Sequence, residues 1–221
     1  KINPQEWLCY PAKVGSLLIM VYFSLELFEL GFSLSNLFEL ADEKDLESKP
    51  DAVFLFGVPQ DQMVAPNGNQ TIFYADETNG MLVAAIPNTD EYAYFGYLKK
   101  MVLTLHNILR MKQNALPLHG AIFQINLRGC QPFTVALVGD TGAGKSETIE
   151  ALRQIADEQI EDLIIIADDM GSLEMTASGQ VLALGTEIGA FVRLDDLQKG
   201  YALGQIDRSI IMNPNQVNAR V

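Results

Sequence analysis

Eight consecutive residues, Gly139-Asp140-Thr141-Gly142-Ala143-Gly144-Lys145-Ser146, carry the most specific chemistry in the chain. They fit the G-x-x-x-x-G-K-[ST] pattern at every fixed position. Glycines let the backbone curl so that its N–H groups converge on phosphate oxygens, and a following helix N-terminus adds positive potential. In such a loop the Lys145 ammonium reaches the β- and γ-phosphates and the Ser146 hydroxyl faces Mg²⁺. ATP with Mg²⁺ is therefore the expected ligand. A second acidic feature follows at Asp168-Asp169, directly after Leu163-Ile-Ile-Ile-Ala167. An apolar strand that delivers a carboxylate beside a phosphate loop is the usual way to hold the nucleotide's metal ion.

The elements around these residues are those the chemistry needs. Phe133 to Val138 is apolar and β-branched and reads as a buried strand into the loop. Glu147 to Gln159 carries Ile149, Leu152, Ile155 and Ala156 at helical spacing, so a helix leaves it. Upstream, Tyr92 to Gln113 places Tyr94, Leu98, Met101, Leu105, Ile108 and Leu109 on one helical face, with Asp90 as candidate N-cap. Leu118 to Asn126 reads as a strand with His119 near its start. Short strands are expected at Ser172 to Thr176, Val181 to Leu184 and Ala190 to Leu194.

The first ninety residues read as a sheet-rich module without a chemical motif. Ser16 to Leu25 and Ala52 to Phe56 are strands, and Leu27 to Leu40 is ambiguous between strand and helix. Asp76-Glu-Thr-Asn-Gly80 lies between Thr71–Tyr74 and Met81–Ile86, which predicts a hairpin. The expected organisation is thus residues 1–90 as one module and residues 91–221 as a nucleotide- and metal-binding core, in a mixed α/β chain.

Composition narrows the partners. The 221 residues carry a formal charge of −13, which opposes binding to nucleic acid or an anionic membrane. Twelve uncharged residues between Lys13 and Glu26 are too few to span a bilayer. Cys9 and Cys130 form neither a disulfide framework nor a C-x-x-C motif, so a reducing cytoplasm is the expected setting. The chain opens at Lys1 and stops at Val221, and we expect the core to be incomplete at its C-terminus.

Three further stretches, taken with the loop, resemble the phosphoenolpyruvate carboxykinase family. Tyr94-Phe-Gly-Tyr-Leu-Lys-Lys100 is similar to that family's tyrosine-glycine-…-lysine-lysine segment, and Leu118-His119-Gly120-Ala121 to its histidine-bearing strand. Glu187-Ile-Gly-Ala-Phe-Val-Arg193 and Asn218-Ala-Arg220 resemble its glutamate-glycine-glycine and asparagine-threonine-arginine segments. The resemblance covers Tyr94 to Val221. It implies a phosphoenolpyruvate carboxykinase-like core that decarboxylates oxaloacetate and phosphorylates the enolate. It also implies a second divalent ion, Mn²⁺, on Lys100, His119 and Asp169, with Asp168 near the metal-bound water and Arg220 stabilising the transferring phosphoryl group. The family's adenine-binding region would then lie beyond Val221.

The loop and its continuation Ser146-Glu147-Thr148, together with Ala167-Asp-Asp169, equally resemble HPr kinase/phosphorylase. That likeness implies a serine or small-molecule hydroxyl as acceptor, with one of the aspartates as base. The carboxykinases' arginine-rich oxaloacetate-gripping segment has no counterpart here: before Tyr94 there are four lysines and no arginine. A nucleotide-responsive module without turnover is the reading from a different class. A Ras-type GTPase is disfavoured by the absence of an asparagine-lysine-x-aspartate motif.

Overall fold

A computed structural model describes residues 2–63, 70–140, 142–155, 159–189, 191–193 and 218–220. The protein is mixed α and β, with two main sheets and few helices. It divides into two compact units, one running through Leu109 and the other starting at Arg110. The sequence suggests a boundary at residue 90; the division between compact units falls within a helix.

The first unit is built on a six-stranded sheet. Its strands are β1 (Trp7–Val14), β2 (Leu17–Ser24), β3 (Glu39–Leu40), β4 (Ala52–Val58), β5 (Ile72–Asp76) and β6 (Met81–Pro87), in the order β3-β1-β2-β4-β6-β5. β1 and β2 form an antiparallel hairpin, β2, β4 and β6 run parallel, and β5 closes the far edge antiparallel to β6. Ile19, Val21 and Phe23 of β2 alternate with half-buried neighbours, and Ala52, Phe54 and Phe56 do the same on β4. That period of two is what a sheet with one deeply buried face requires. The hairpin expected around Gly80 forms as β5 and β6.

The ambiguous stretch after Ser24 becomes a run of short helical turns centred on α1 (Phe28–Phe32). Leu30, Leu34 and Leu37 are buried, whereas Leu25, Phe28 and Phe32 are exposed, with the two phenylalanine rings stacked at 5.6 Å. Apolar residues on both sides of the turn erase the one-sided pattern that identifies a helix in sequence. Gly31 is needed here for close approach, because a Cβ would lie 2.3 Å from the buried Phe23 ring.

Helix α2 (Phe95–Lys112) starts later than Asp90 suggests, after a turn through residues 89–92. Leu98, Met101 and Leu105 are buried as expected, while Tyr94 lies outside the helix and is exposed. Asn114, at φ 62, takes the left-handed conformation just past the helix end, and the Ala115 N–H donates to the Arg110 carbonyl at 2.9 Å. This ends α2 and turns the chain into the next strand. Among the described residues no helix is long and apolar enough to cross a membrane.

The second unit is organised by one long strand, β7 (Leu116–Leu127). One side of β7 pairs with β8 (Phe133–Val138). Its other side pairs with β9 (Ile160–Ala167) and then β10 (Met170–Met175), and β11 (Val181–Gly185) pairs with β10. Helix α3 (Lys145–Ile155) covers one face: Ile149 packs with Ala121, Phe123 and Ile125, flanked by Val135, Leu137, Leu163 and Ile165. A two-stranded piece, β12 (Phe191–Arg193) and β13 (Asn218–Arg220), completes the described elements.

Candidate functional site

β8 and β9 both run antiparallel to β7, on opposite sides of it, and therefore run in the same direction. Their C-terminal ends emerge at the same end of the sheet. Val138 is opposite Gly120, and Ala167 is opposite Ile122, so the glycine loop and Asp168 both begin within two residues of the same stretch of β7. His119 is in that stretch. The expected strand, loop, helix order is thus realised, with an acidic strand end one strand away.

The loop's shape follows from its glycines. Gly142 and Gly144 have φ values of 78° and 84°, a left-handed backbone that any side chain would strain. Ala143 N–H donates to the Asp140 carbonyl at 3.1 Å, closing a turn. A Cβ on Gly139 would lie 2.8 Å from the Ala143 methyl, so the loop folds tightly on itself. Lys145 opens α3 and reaches back, its Nζ donating to the Gly139 carbonyl at 2.8 Å and the Asp140 carbonyl at 3.0 Å. Ser146 is exposed in the first helical turn. Thr148 Oγ1 donates to the Gly144 carbonyl at 2.6 Å and ties helix to loop. Thr141 lies outside the described residues.

The acidic pair forms a two-residue bend between the end of β9 and the start of β10. Ile122 opposite Ala167 and His119 opposite Met170 share one register, which sets Asp168 across from Ala121 and Asp169 across from Gly120. The Gly120 N–H donates to the Asp169 carbonyl at 2.9 Å, which ties the bend to β7. The Asp169 Oδ1 lies 3.0 Å from His119 Nε2, both side chains being partly exposed. β9 carries a bulge at Ile166, between the pairs Ile122–Ala167 and Phe123–Ile165. β11 ends beside this bulge, with Gly185 paired to Gly171 and the next residue, Thr186, bonded through its hydroxyl to the Met170 carbonyl.

Of the residues singled out in sequence, the second unit gathers Gly139, Asp140, Gly142, Ala143, Gly144, Lys145 and Ser146 in one loop. It sets His119, Asp168 and Asp169 on the neighbouring strands. Lys100 belongs to the first unit and is exposed, whereas its neighbour Lys99 is buried. Arg220 lies in β13 opposite Phe191, and its side chain is outside the described set. Among the described residues no group of three or more His, Cys, Asp or Glu is gathered as a metal site. The donors near the loop, a serine hydroxyl and two carboxylates, are hard oxygen ligands suited to Mg²⁺ or Mn²⁺.

Sequence reasoning left Thr186 unremarked. It is 3 % exposed and its Oγ1 donates to the Met170 carbonyl at 2.8 Å. It lies within a short polar stretch with no pattern to distinguish it. No protein-family model matches the chain, and no curated protein is similar to it.

Proposed function

We propose that the protein is an ATP- and divalent-metal-dependent phosphotransferase built on a phosphate-loop core. The observation that carries this reading is the shared exit of the glycine loop and Asp168-Asp169 from one end of the same sheet, with only β7 between them. The loop N–H groups, Lys145 and Ser146 would bind Mg²⁺·ATP, and the aspartates would hold the metal. A bound divalent ion neutralises charge on the phosphate oxygens as the γ-phosphoryl group transfers. Lys145 is already oriented across the loop mouth by its two carbonyl bonds, which it exchanges for phosphate oxygens when nucleotide binds.

For the acceptor, the resemblance to the carboxykinases supports oxaloacetate. Loss of carbon dioxide leaves an enolate, and its oxygen takes the γ-phosphoryl group to give phosphoenolpyruvate and ADP. Within the second unit, His119 and Asp169 would then hold a Mn²⁺ ion, and Arg220 would stabilise the phosphoryl group in transfer. A second reading, a kinase of a serine or small-molecule hydroxyl, is favoured by the contact between His119 and Asp169. A carboxylate held against an imidazole is a suitable acceptor for a hydroxyl proton.

The test follows ATP consumption and phosphoenolpyruvate formation from oxaloacetate, with Mg²⁺ alone and with added Mn²⁺, using Lys145→Ala as control. Mn²⁺-stimulated phosphoenolpyruvate that disappears in the variant supports the carboxykinase reading. ATP consumption without phosphoenolpyruvate moves the acceptor to a hydroxyl. Binding of ATP with no turnover on any acceptor leaves a nucleotide-responsive module.

A further inference from the structure

We infer that Gly185 and Thr186 are positioning residues that fix the backbone carrying the Asp168-Asp169 carboxylates, at the end of the sheet from which the glycine loop also leaves. The inference rests on the phosphotransferase reading and assigns its metal-holding pair a mechanical support. Three observations converge on it. The Ile166 bulge places an extra residue in β9 two positions before Asp168, turning its backbone out of the ladder with β7. Gly185 sits against that backbone: a Cβ there would lie 1.9 Å from the Ile166 carbonyl oxygen and 3.1 Å from its carbon. No rotamer change relieves such a contact, because the clashing atoms are main chain. On the other side of the pair, the buried Thr186 hydroxyl donates to the Met170 carbonyl, one residue after Asp169.

The end of β11 therefore meets the chain two residues before Asp168 and one residue after Asp169. Gly171 extends the close fit, since a Cβ on it would come within 2.8 Å of Ile122 Cδ1 and 3.1 Å of both the Ala167 Cβ and the Leu184 carbonyl oxygen. Ordinary strand pairing with β7 would fix the backbone height of Asp168 and Asp169. Contact with the end of β11 adds a second constraint on that backbone, and through it on the carboxylates.

The test compares ATP affinity with Mg²⁺ and with EDTA, using the full chain and its Thr186→Val, Thr186→Ala and Thr186→Ser variants, with urea unfolding as the fold control. Wild type is expected to bind Mg²⁺·ATP more tightly than metal-free ATP. Thr186→Val keeps the side-chain shape and removes the hydroxyl. We expect it to reduce the Mg²⁺-to-EDTA affinity ratio about tenfold while metal-free binding changes little, and Thr186→Ser to restore the ratio. If Thr186→Val does not fold, Thr186→Ala is read in the same way. A folded variant with an unchanged ratio overturns the inference, as does a loss of affinity that is equal with and without Mg²⁺. Failure of the wild type itself to bind ATP in either condition identifies the phosphotransferase reading as the part that is wrong.

Discussion

Asp169 and His119 meet at 3.0 Å across neighbouring strands, although fifty positions separate them in the chain. The contact is diagonal: Met170 pairs with His119 and the Gly120 N–H donates to the Asp169 carbonyl, so the bend at Asp168-Asp169 brings the Asp169 side chain beside His119. Both side chains remain partly open to solvent. Replacing Asp169 with Asn keeps an oxygen for His119 and removes the charge. On the phosphotransferase reading, Asp169→Asn lowers metal-dependent turnover on the order of 100-fold, as loss of an electrostatic group in the site does. A turnover within twofold of wild type, measured by ADP release, would exclude Asp169 from the metal site.

Lys145 separates binding from stability. Its two bonds to Gly139 and Asp140 lie in an exposed loop, so Lys145→Ala should change folding stability by no more than about 0.5 kcal/mol. ATP affinity should fall at least tenfold, which is about 1.4 kcal/mol. Calorimetric titration alongside urea unfolding reads both quantities. Unchanged affinity would remove the loop from nucleotide binding.

Gly31→Ala tests the packing of the first unit. Alanine would favour the helical turn by ~1 kcal/mol over glycine. The added methyl would sit 2.3 Å from two atoms of the Phe23 ring, which is 3 % exposed and packed on the sheet. Overpacking of that kind costs about 1–3 kcal/mol, so the steric effect dominates. A lower urea midpoint for the variant is the expected result. A higher midpoint would show that Phe23 has room to move.

Alkaline pH should weaken the first unit through Tyr10. Burial, with a smaller contribution from the nearby Glu39 carboxylate, pushes its phenol up from 10.0 to about 12. Its hydroxyl also donates to the Phe38 carbonyl at 2.7 Å. Between these two values the folded chain keeps a proton that the unfolded chain has lost, so stability falls as pH rises. Below pH 10 the contribution is fully present. Burial likewise pushes the Cys9 thiol up from 9.0 to about 11, opposed by a hydrogen bond with Tyr22, and the decline therefore starts near pH 9. Tyr10→Phe should cost about 1 kcal/mol at pH 7, from the lost hydrogen bond, and flatten the profile above pH 10. Urea midpoints between pH 7 and 12 check this; a variant as alkali-sensitive as wild type would place the titrating group elsewhere.

The glycine loop, its flanking strand and helix, and the acidic end of β9 were readable in the sequence because each is local. Val135, Leu137, Leu163 and Ile165 form apolar runs whose period and length point to strands, and the loop's fixed positions are contiguous. β1 was not readable. Tyr10, Ala12 and Val14 alternate inward, but Pro11 and Lys13 interrupt the run. Proline is tolerated there because β3 pairs only with Ala12 and Lys13 on that side. The joining of His119 to Asp169 and the approach of Gly185 to Ile166 depend on register between distant strands, which no local pattern carries. Lys100 is singled out in sequence as a metal ligand that the resemblance implies, but no local pattern tells that the turn of α2 buries its neighbour Lys99 and exposes Lys100.

The hydrogen bond that ties β7 to the bend between β9 and β10 also has a dynamic consequence. Because the Gly120 amide hydrogen is bonded to the carbonyl of Asp169 itself, releasing that amide to solvent requires the sheet to open at the acidic pair. Its exchange rate with deuterium therefore reports the rigidity of the carboxylate support directly.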